Sequence, residues 1–242
     1  MSCAPAQGLL SDPRYVLGDG TVRIDAFDFE LPADRIAQRP VEPRDASRLL
    51  VVDPASDYLI DATMRDLPAH APSNAVLVVN DTRVIRARLL GRKADTGGKV
   101  ELLLVRKAGE GSLVVAGREH AGERWLAMGK ASKAFRFPTR ILFGDGNDLF
   151  AILETRSEDG LLQVLLVKPG GGTIRESIER LGHVPLPPYI RREDDGEDAE
   201  RYQTVYARHE GAIAAPTAGL HLTHSLLGAL GANGIQLVTL TL

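Results

Sequence analysis

The sequence has little that would indicate a secreted, membrane-bound or thiol-dependent protein. Cys3 is the only cysteine among 242 residues. A single cysteine excludes an internal disulfide and a thiolate-rich zinc site, and it fits a reducing compartment. No apolar run approaches the roughly 20 residues that a membrane span requires, and residues 1–15 lack the basic start and apolar core of a secretory signal. We therefore expect a cytoplasmic protein without membrane contact.

Aromatic residues and an excess of positive charge are also lacking. Aromatics make up 5% of the chain and the formal net charge is −3, which excludes an aromatic-rich RNA-stacking surface and a general polycation. The sequence has no G-x-S-x-G, G-x-G-x-x-G or Walker-type motif. Any nucleic-acid binding must therefore come from a local basic patch.

The periodicity of the chain changes twice, which predicts two kinds of domain. Short β-like runs separated by Gly or Asp-Gly turns follow one another over residues 84–168 and predict a small all-β, barrel-like domain. A capping-box pattern at Thr173 and Glu176 predicts a helix to about residue 181, and residues 223–230 predict another. The predicted fold class is an α/β domain (23–83 and 169–242) with this β domain inserted, after a loosely ordered extension at residues 1–22.

Three local predictions concern the α/β segments. Residues 27–32 alternate like a short strand, and a helix starting near Asp198 is expected to carry Tyr202, Val205 and Tyr206. Residues 235–242 predict a β-branched strand. Because the chain stops within this apolar strand without a polar cap, we expect the α/β domain to be incomplete at its C-terminus.

Two polar segments lie where α/β proteins commonly place chemistry. Asn80-Asp81-Thr82-Arg83 directly follows the apolar run 76–79, so Asp81 can serve as a ribose partner or a base. The alternative is an Asx-turn or helix cap, which these residues also favour. The segment 214–221 is small and weakly hydrophobic. It offers a hydroxyl at Thr217, close backbone approach at Gly219 and a titratable ring at His221.

Two basic segments invite a binding interpretation. Arg44, Asp45, Ser47 and Arg48 precede a predicted strand, and an arginine fork suits a phosphate or carboxylate; a solvated turn with an Arg–Asp pair is the alternative. Residues 81–107 carry eight basic and three acidic side chains, a local charge of +5, and Arg86 and Arg88 would share one face of a strand. Such a face suits a nucleic-acid backbone, but basic side chains also protect edge strands.

A metal site is not predicted. His221 and His224 are three residues apart at a helix start and could face one ligand, but a metal site needs a third ligand and a supporting shell.

Taken in order, eight short segments resemble one family, the S-adenosylmethionine:tRNA ribosyltransferase-isomerases of queuosine biosynthesis. Each segment alone is weakly specific, but the ordered set covers nearly all of residues 24–242. The segments are FDFELP (27–32), IAQRP (36–40), RDASRLL (44–50), NDTRVI (80–85), GKVE (98–101), PLPPYI (185–190), ERYQTVYA (200–207) and APTAGLH (215–221). Arg86 and Leu222 depart from the family pattern, which usually has proline and an aromatic residue there.

The resemblance implies a fold and a reaction. A small β-barrel would be inserted in an α/β domain. The ribosyl part of S-adenosylmethionine would move to the aminomethyl group of a 7-deazaguanine at the tRNA wobble position and isomerise, giving epoxyqueuosine-tRNA with loss of adenine and methionine. S-adenosylmethionine would be a co-substrate, with no true cofactor and no metal. The partner would be tRNA, and we expect a monomer.

The resemblance also suggests roles for particular residues. Asp81 and His221 are the expected catalytic residues, because the reaction needs a base and a proton donor for departing adenine. The expected substrate-binding residues are Arg44, Asp45, Ser47, Arg48, Asn80, Thr82, Arg83, Thr217 and Gly219. The expected tRNA-binding residues are Arg86, Arg88, Arg92, Lys93 and Lys99.

Two other function classes stay open at this point. The chain could be a truncated, inactive relative that binds RNA at most, and release of adenine from S-adenosylmethionine would separate this class from the enzyme. A metal-dependent hydrolase would instead require bound zinc.

Overall fold

The structure is a computed structural model, and it describes residues 23–53, 58–145 and 148–242. The chain forms two compact units. The first contains the described residues up to Leu77, together with Tyr189–Arg191 and His221–Gln236; the second contains Val78–Pro188, Arg192–Leu220 and Leu237–Leu242. No helix within the described ranges is long and apolar enough to cross a membrane.

Strands dominate the described residues. In chain order they are β1 (Arg48–Asp53), β2 (Tyr58–Thr63), β3 (Val76–Asn80), β4 (Thr82–Val84), β5 (Arg88–Lys93), β6 (Lys99–Val115), β7 (Arg118–Ala131), β8 (Thr139–Phe143), β9 (Leu149–Arg156), β10 (Leu162–Val167), β11 (Gly182–His183), β12 (His209–Ala212) and β13 (Gln236–Leu240). The α-helices are α1 (Leu67–His70), α2 (Ile174–Leu181), α3 (Asp198–Arg201) and α4 (His224–Ala232). Single 3₁₀ turns cover Ile24–Phe27, Ala33–Arg35, Arg44–Ala46, Met64–Asp66 and Thr217–His221.

Six antiparallel strands of the second unit close into a ring. The pairing order is β5-β6-β7-β10-β9-β8, and β8 pairs back to β5. Alternate residues point inward, so Leu102, Leu104, Phe143 and Leu153 are almost fully buried. Burying one such side chain contributes about 1.5–3 kcal/mol, and closure leaves few unpaired strand edges. The mostly-strand character that the sequence predicts for this region is confirmed.

One long hairpin replaces several of the predicted short strands. A single strand, β6, joins the predicted run 100–106 to residues 113–115 of the predicted run 113–117; it pairs with β7 along its length and shifts register between Leu104 and Arg106 and again between Lys107 and Gly109. The two irregularities lie on either side of the polar residues Arg106 and Lys107, and the ladder between β6 and β7 continues beyond them. Ala116 and Gly117 both have positive φ and form the two-residue turn, as such hairpins require.

Two of the local predictions are wrong. Residues 28–32 form no strand, and the side chains of Phe27 and Phe29 are mostly exposed, so no burial favours pairing there. Helix α3 ends at Arg201 instead of continuing through Tyr206. The side chain of Gln203 accepts from the Val84 N–H (2.9 Å) and donates to the Val84 carbonyl (2.8 Å), and residues 202–206 form turns instead of continuing the helix.

The helix caps predicted from the sequence are present. Thr173 accepts from the Glu176 N–H (3.1 Å) and the Glu176 carboxylate accepts from the Thr173 N–H (2.7 Å), a complete capping box before α2. The helix stops at Gly182, where a Cβ would collide with the carbonyl oxygens of Arg86 and Ile178. The α/β arrangement and the predicted domain bounds at 84 and 168 stay predictions.

Strands β3 and β13 form a parallel pair. The Gln236 N–H donates to the Ala75 carbonyl (2.9 Å), and the Asp81 N–H donates to the Leu240 carbonyl (3.0 Å). Both strands therefore end at the same edge, where polar loop residues meet.

Candidate functional site

Asp81 lies just after β3 in the second unit and is the buried carboxylate of the first cluster, the Asp81 group (Asn80, Asp81, Thr82, His209 and Thr241). It is 3% exposed. Its Oδ1 accepts a hydrogen bond from the Thr241 hydroxyl (2.7 Å), and its Oδ2 lies 3.8 Å from His209 Nε2. One carboxylate oxygen is thus held by a donor, while the other faces a histidine.

The backbone of Asp81 is fixed from both sides. Its carbonyl accepts from the N–H groups of Arg208 (2.7 Å) and His209 (3.2 Å), while its own N–H donates to Leu240. These bonds tie the end of β3 to β13 and to the segment entering β12. The carboxylate is therefore presented by a rigid backbone, as proton-transfer chemistry requires.

Asn80 and Thr82 make an Asx-turn around Asp81. Asn80 Oδ1 accepts from the Thr82 N–H (3.0 Å) and from the Thr82 hydroxyl (2.5 Å), and Thr82 Oγ1 accepts from the Leu242 N–H (3.1 Å). The turn alternative weighed from the sequence is thus present. Substrate binding by Asn80, Thr82 and the exposed Arg83 stays a prediction.

His221 belongs to the second cluster, the His221 group (Arg44, Asp45, Ser47, His221 and Thr223), which lies in the first unit. His221 Nδ1 is 2.9 Å from Ser47 Oγ, and Ser47 Oγ donates to the Arg44 carbonyl (2.7 Å). A hydroxyl has one proton. We assign that proton to the Arg44 carbonyl, so that Ser47 accepts from Nδ1–H. The neutral ring therefore carries its lone pair on Nε2.

Asp45 anchors the same group. It is 8% exposed; its Oδ2 accepts from the Thr223 hydroxyl (2.8 Å) and its Oδ1 accepts from Arg65 Nε (3.0 Å). Thr223 also caps α4 by accepting from the Leu226 N–H (3.1 Å). The Thr223 hydrogen bond, aided by Arg65, holds the pKa of Asp45 below its ordinary value against the effect of burial. Both carboxylate oxygens of Asp45 are therefore engaged within the protein. Its predicted role in substrate binding stays a prediction.

The low pKa of Asp45 predicts a pH-dependent stability. A carboxylate whose pKa is lower in the folded state stabilises the protein above its unfolded pKa, near 3.8, and loses that contribution as pH falls through the folded value. We expect Asp45→Ala to lower the free energy of unfolding at pH 7 by about 1–3 kcal/mol and to flatten the acid limb of stability. Urea unfolding between pH 7 and pH 2.5 measures both.

Asp61→Ala is the matched control for Asp45. Asp61 pairs with Arg48 (3.2 Å) where both side chains are highly exposed, and such pairs contribute about 0–1 kcal/mol. Equal losses for the two variants would contradict an anchoring role for Asp45.

The Arg48–Asp61 pair also realises the solvated-pair alternative, with Asp61 rather than Asp45 as the acid. Burial lowers the pKa of the Arg44 guanidinium.

Gly219 makes a tight contact with the chain itself, and its predicted approach to a ligand stays a prediction. It is buried within the 3₁₀ turn Thr217–His221, and a Cβ there would collide with the Tyr206 hydroxyl and lie 3.0 Å from Thr204 Cγ2. Burial raises the pKa of the Tyr206 phenol. Thr217 is exposed and its hydroxyl donates to the Ala215 carbonyl (3.3 Å). The close approach at Gly219 is therefore made by a tyrosine of the chain itself.

Gly219→Ala tests this contact. We expect a destabilisation of about 1–3 kcal/mol from overpacking, measured by urea unfolding. In Tyr206→Phe the colliding oxygen is gone, so Gly219→Ala in that background should cost clearly less. Equal costs in the two backgrounds would show that the hydroxyl is not the obstacle.

The five predicted tRNA-binding cations fall into three kinds. Arg88 forms a two-pronged pair with Glu101 (2.9 and 3.1 Å). Lys93 donates to the carbonyls of Lys133 and Ala134 and lies 5.5 Å from the Phe135 ring centre. Arg86 precedes β5 instead of sharing its face, and its Nε is buried without a hydrogen-bond partner. The remaining two, Arg92 and Lys99, face outward.

Sequence reasoning missed several residues of these groups. His209 and Thr241 contact Asp81, and Tyr206 and Thr204 contact Gly219. A signal for Thr241 was present, because parallel strands end at one edge, the apolar run 76–79 is followed by polar residues, and Thr241 follows the strand-like segment 236–240. Within the described ranges, no group of three or more His, Cys, Asp or Glu side chains could hold a metal ion.

Comparison with known proteins identifies the family. A family model described as "Queuosine biosynthesis protein" matches residues 24–242, and the chain belongs to this family. Curated relatives named S-adenosylmethionine:tRNA ribosyltransferase-isomerase are 47% identical in Sorangium cellulosum and in Anaeromyxobacter dehalogenans, each match covering 91% of this chain and 62% and 60% of the relative. The relative from Symbiobacterium thermophilum is 42% identical with the same 91% and 60% coverage.

The chain thus spans about three fifths of the length of the curated relatives it matches. Among solved structures, an S-adenosylmethionine tRNA ribosyltransferase from Thermotoga maritima is 26% identical, with a TM-score of 0.32, and the match covers 88% of this chain and 56% of that one.

Proposed function

We propose that the chain transfers and isomerises the ribosyl moiety of S-adenosylmethionine onto 7-aminomethyl-7-deazaguanine at the tRNA wobble position. The product is epoxyqueuosine-tRNA, and adenine and methionine leave. The family match over residues 24–242, together with the names of the curated relatives, is the observation that carries this proposal. S-adenosylmethionine is consumed as a co-substrate, and the proposal includes no further cofactor and no metal.

The reaction needs a proton acceptor and a proton donor. The sulfonium of S-adenosylmethionine acidifies the neighbouring C–H bonds, so a base must remove a proton, and departing adenine must receive one at a ring nitrogen. The hydrogen bonding of Ser47 supports His221 as an acceptor at Nε2 in its neutral form and as a donor once protonated. Asp81 is the second candidate base, supported by its burial and its rigid backbone.

The other predicted roles follow from side-chain chemistry. The ribose diol requires acceptors and donors of the kind that Asn80, Asp81 and Thr217 offer. The guanidinium groups of Arg44, Arg48 and Arg83 suit the methionine carboxylate or a phosphate. We further propose that the chain acts as a cytoplasmic monomer.

The decisive experiment follows both products of the transfer. The chain is incubated with S-adenosylmethionine labelled in the ribose and with tRNA carrying the aminomethyl-deazaguanine, and free adenine and label on tRNA are counted. Both are expected, in equal amounts, and neither is expected with tRNA that has guanine at the wobble position. A folded chain that binds the tRNA but releases no adenine would overturn the proposal and favour the inactive, RNA-binding alternative.

A further inference from the structure

The outer surface of strands β5, β6 and β7 carries an unbalanced charge. Along β6 the side chains of Val100 and Leu102 are buried inside the ring, so Lys99 and Glu101 point outward. The cross-strand partners of these two outward residues are Arg92 opposite Lys99, and Leu90 and Lys130 on either side of Glu101. Arg88 lies on the same face of β5. We call this surface the basic face. It has four cations, Arg88, Arg92, Lys99 and Lys130, and one carboxylate, Glu101.

The single carboxylate is already committed. Both Glu101 oxygens accept from Arg88, which is the main reason that the pKa of Glu101 lies below its ordinary value, with a weaker contribution from Lys130. Arg92 and Lys99 have no ion pair with any carboxylate in the described parts of the chain. Glu193 and Asp194 also act on the charge of Arg88, so the positive charge of the basic face that no ion pair among the described residues engages is that of Arg92 and Lys99.

Arg92 and Lys99 are also directly opposite each other in the ladder between β5 and β6. Like charges at directly opposed positions destabilise a sheet. Basic side chains can also serve to protect an exposed strand edge. Strand β5 is paired on both sides, with β6 and with β8, so it is not an edge and this explanation does not apply to it. An anion bound between the two cations removes this repulsion.

A groove lies beside the same residues. It has a volume of about 780 Å³, within the range typical of ligand sites, and the charged residues of its lining are Arg92, Lys99, Lys130 and the already paired Glu101. Gly91, Gly97 and Gly144 also line it, so backbone rather than side chains forms part of its wall. Positive charge in an open groove with accessible backbone suits an extended, multiply charged anion.

We propose that this groove binds the phosphodiester backbone of the RNA substrate through Arg92, Lys99 and Lys130. Arg92 can hold a phosphate with two parallel hydrogen bonds, while the two lysines act as point charges. The inference rests on the proposed function, because tRNA is the RNA concerned. It assigns Lys130, which sequence reasoning did not single out, and it leaves out Arg88 and Lys93, whose donors are engaged within the protein.

The test measures tRNA affinity against salt concentration. Fluorescence anisotropy with labelled tRNA between 50 and 300 mM KCl gives Kd for the whole chain and for Arg92→Gln, Lys99→Gln and Lys130→Gln. Each lost phosphate contact should lower the slope of log Kd against log salt by about 0.7–0.9 and weaken binding about 3–10-fold at low salt. Arg118→Gln is the matched control, because Arg118 pairs with Val115 at the opposite end of the β6–β7 hairpin from Lys130.

A second measurement separates binding from folding. Removing one of the two opposed cations relieves their repulsion, so Lys99→Gln should raise the melting temperature of the RNA-free chain by about 1–2 °C while weakening RNA binding. A structural lysine would lose stability instead.

The outcomes distinguish this inference from the proposed function. If the unmodified chain binds no tRNA at any salt concentration, the proposed function fails, and the groove fails with it. If the chain binds tRNA but the three groove variants keep the affinity and slope of Arg118→Gln, the groove alone is overturned and RNA contacts another surface.

Discussion

Replacing Asp81 by asparagine should reduce adenine release from S-adenosylmethionine by about 10²–10⁴-fold, the usual contribution of a positioned acid or base. Asparagine has nearly the shape of aspartate, and its carbonyl oxygen can still accept from the Thr241 hydroxyl that now contacts Oδ1. The change therefore removes the charge and the basic oxygen without opening a cavity. Initial rates of adenine release, with substrate saturating for each variant, measure the effect on the chemical step.

Thr241→Val is the control for Asp81→Asn. It deletes the hydrogen bond to Oδ1 but leaves the carboxylate in place, held by the backbone bonds from Asp81 to Leu240, Arg208 and His209. We expect at most about a tenfold loss, since a single neutral hydrogen bond contributes about 0.5–1.5 kcal/mol. Adenine release within twofold of the unmodified chain in Asp81→Asn would remove Asp81 from the mechanism and leave the Asx-turn as its explanation.

Local sequence signals predicted the parts of the fold that depend on neighbouring residues. The capping box of Thr173 and Glu176 forms within one helix, α2, so its residues are close in the chain as well as in space. The alternation of buried and exposed residues along β6 follows from strand geometry alone. For the same reason, a mostly-strand, barrel-like region could be predicted although its strand pairing could not.

Contacts between segments that are distant in the sequence could not be predicted, and such contacts explain the predictions that were wrong. The helix expected to reach Tyr206 ends early because Gln203 binds the backbone of Val84, 119 residues away. Arg86 and Arg88 do not share a strand face, because β5 begins only at Arg88. Periodicity cannot reveal a side-chain amide that replaces a strand partner, or an irregular approach to a strand.

The residues of the candidate site also divide into those with a local sequence signal and those placed only by contacts between distant segments. The sequence singled out Asp81 because polar residues follow the apolar run 76–79, and His221 because it ends the small, weakly hydrophobic segment 214–221; both patterns are local. The partners that orient them lie 174 residues from His221, at Ser47, and 160 residues from Asp81, at Thr241. Which ring nitrogen of His221 is available therefore depends on a bond that only the folded chain reveals.

Because Nδ1 of His221 is engaged by Ser47, the prediction for His221 concerns its other ring nitrogen, Nε2. His221→Asn should lower adenine release by about 10²–10⁴-fold, because an asparagine amide can replace Nδ1–H as donor to Ser47 but has no atom at the position of Nε2. The control is His224→Asn, three residues further on, where the side chain is exposed at the start of α4; its activity should match that of the unmodified chain. An active His221→Asn chain would exclude Nε2 from proton transfer.

Ser47 distinguishes orientation of the ring from its chemistry. In Ser47→Ala the Nδ1–H loses its acceptor, so the neutral ring is free to place its proton on Nε2 and lose its basic site there. We expect kcat to fall about tenfold with little change in KM, since an oriented hydrogen bond of about 1–1.5 kcal/mol is lost. Ser47→Thr keeps the hydroxyl and should restore most of the rate. If alanine and threonine variants were equally slow, the Ser47 hydroxyl would not be what orients His221, and packing at this position would explain the loss instead.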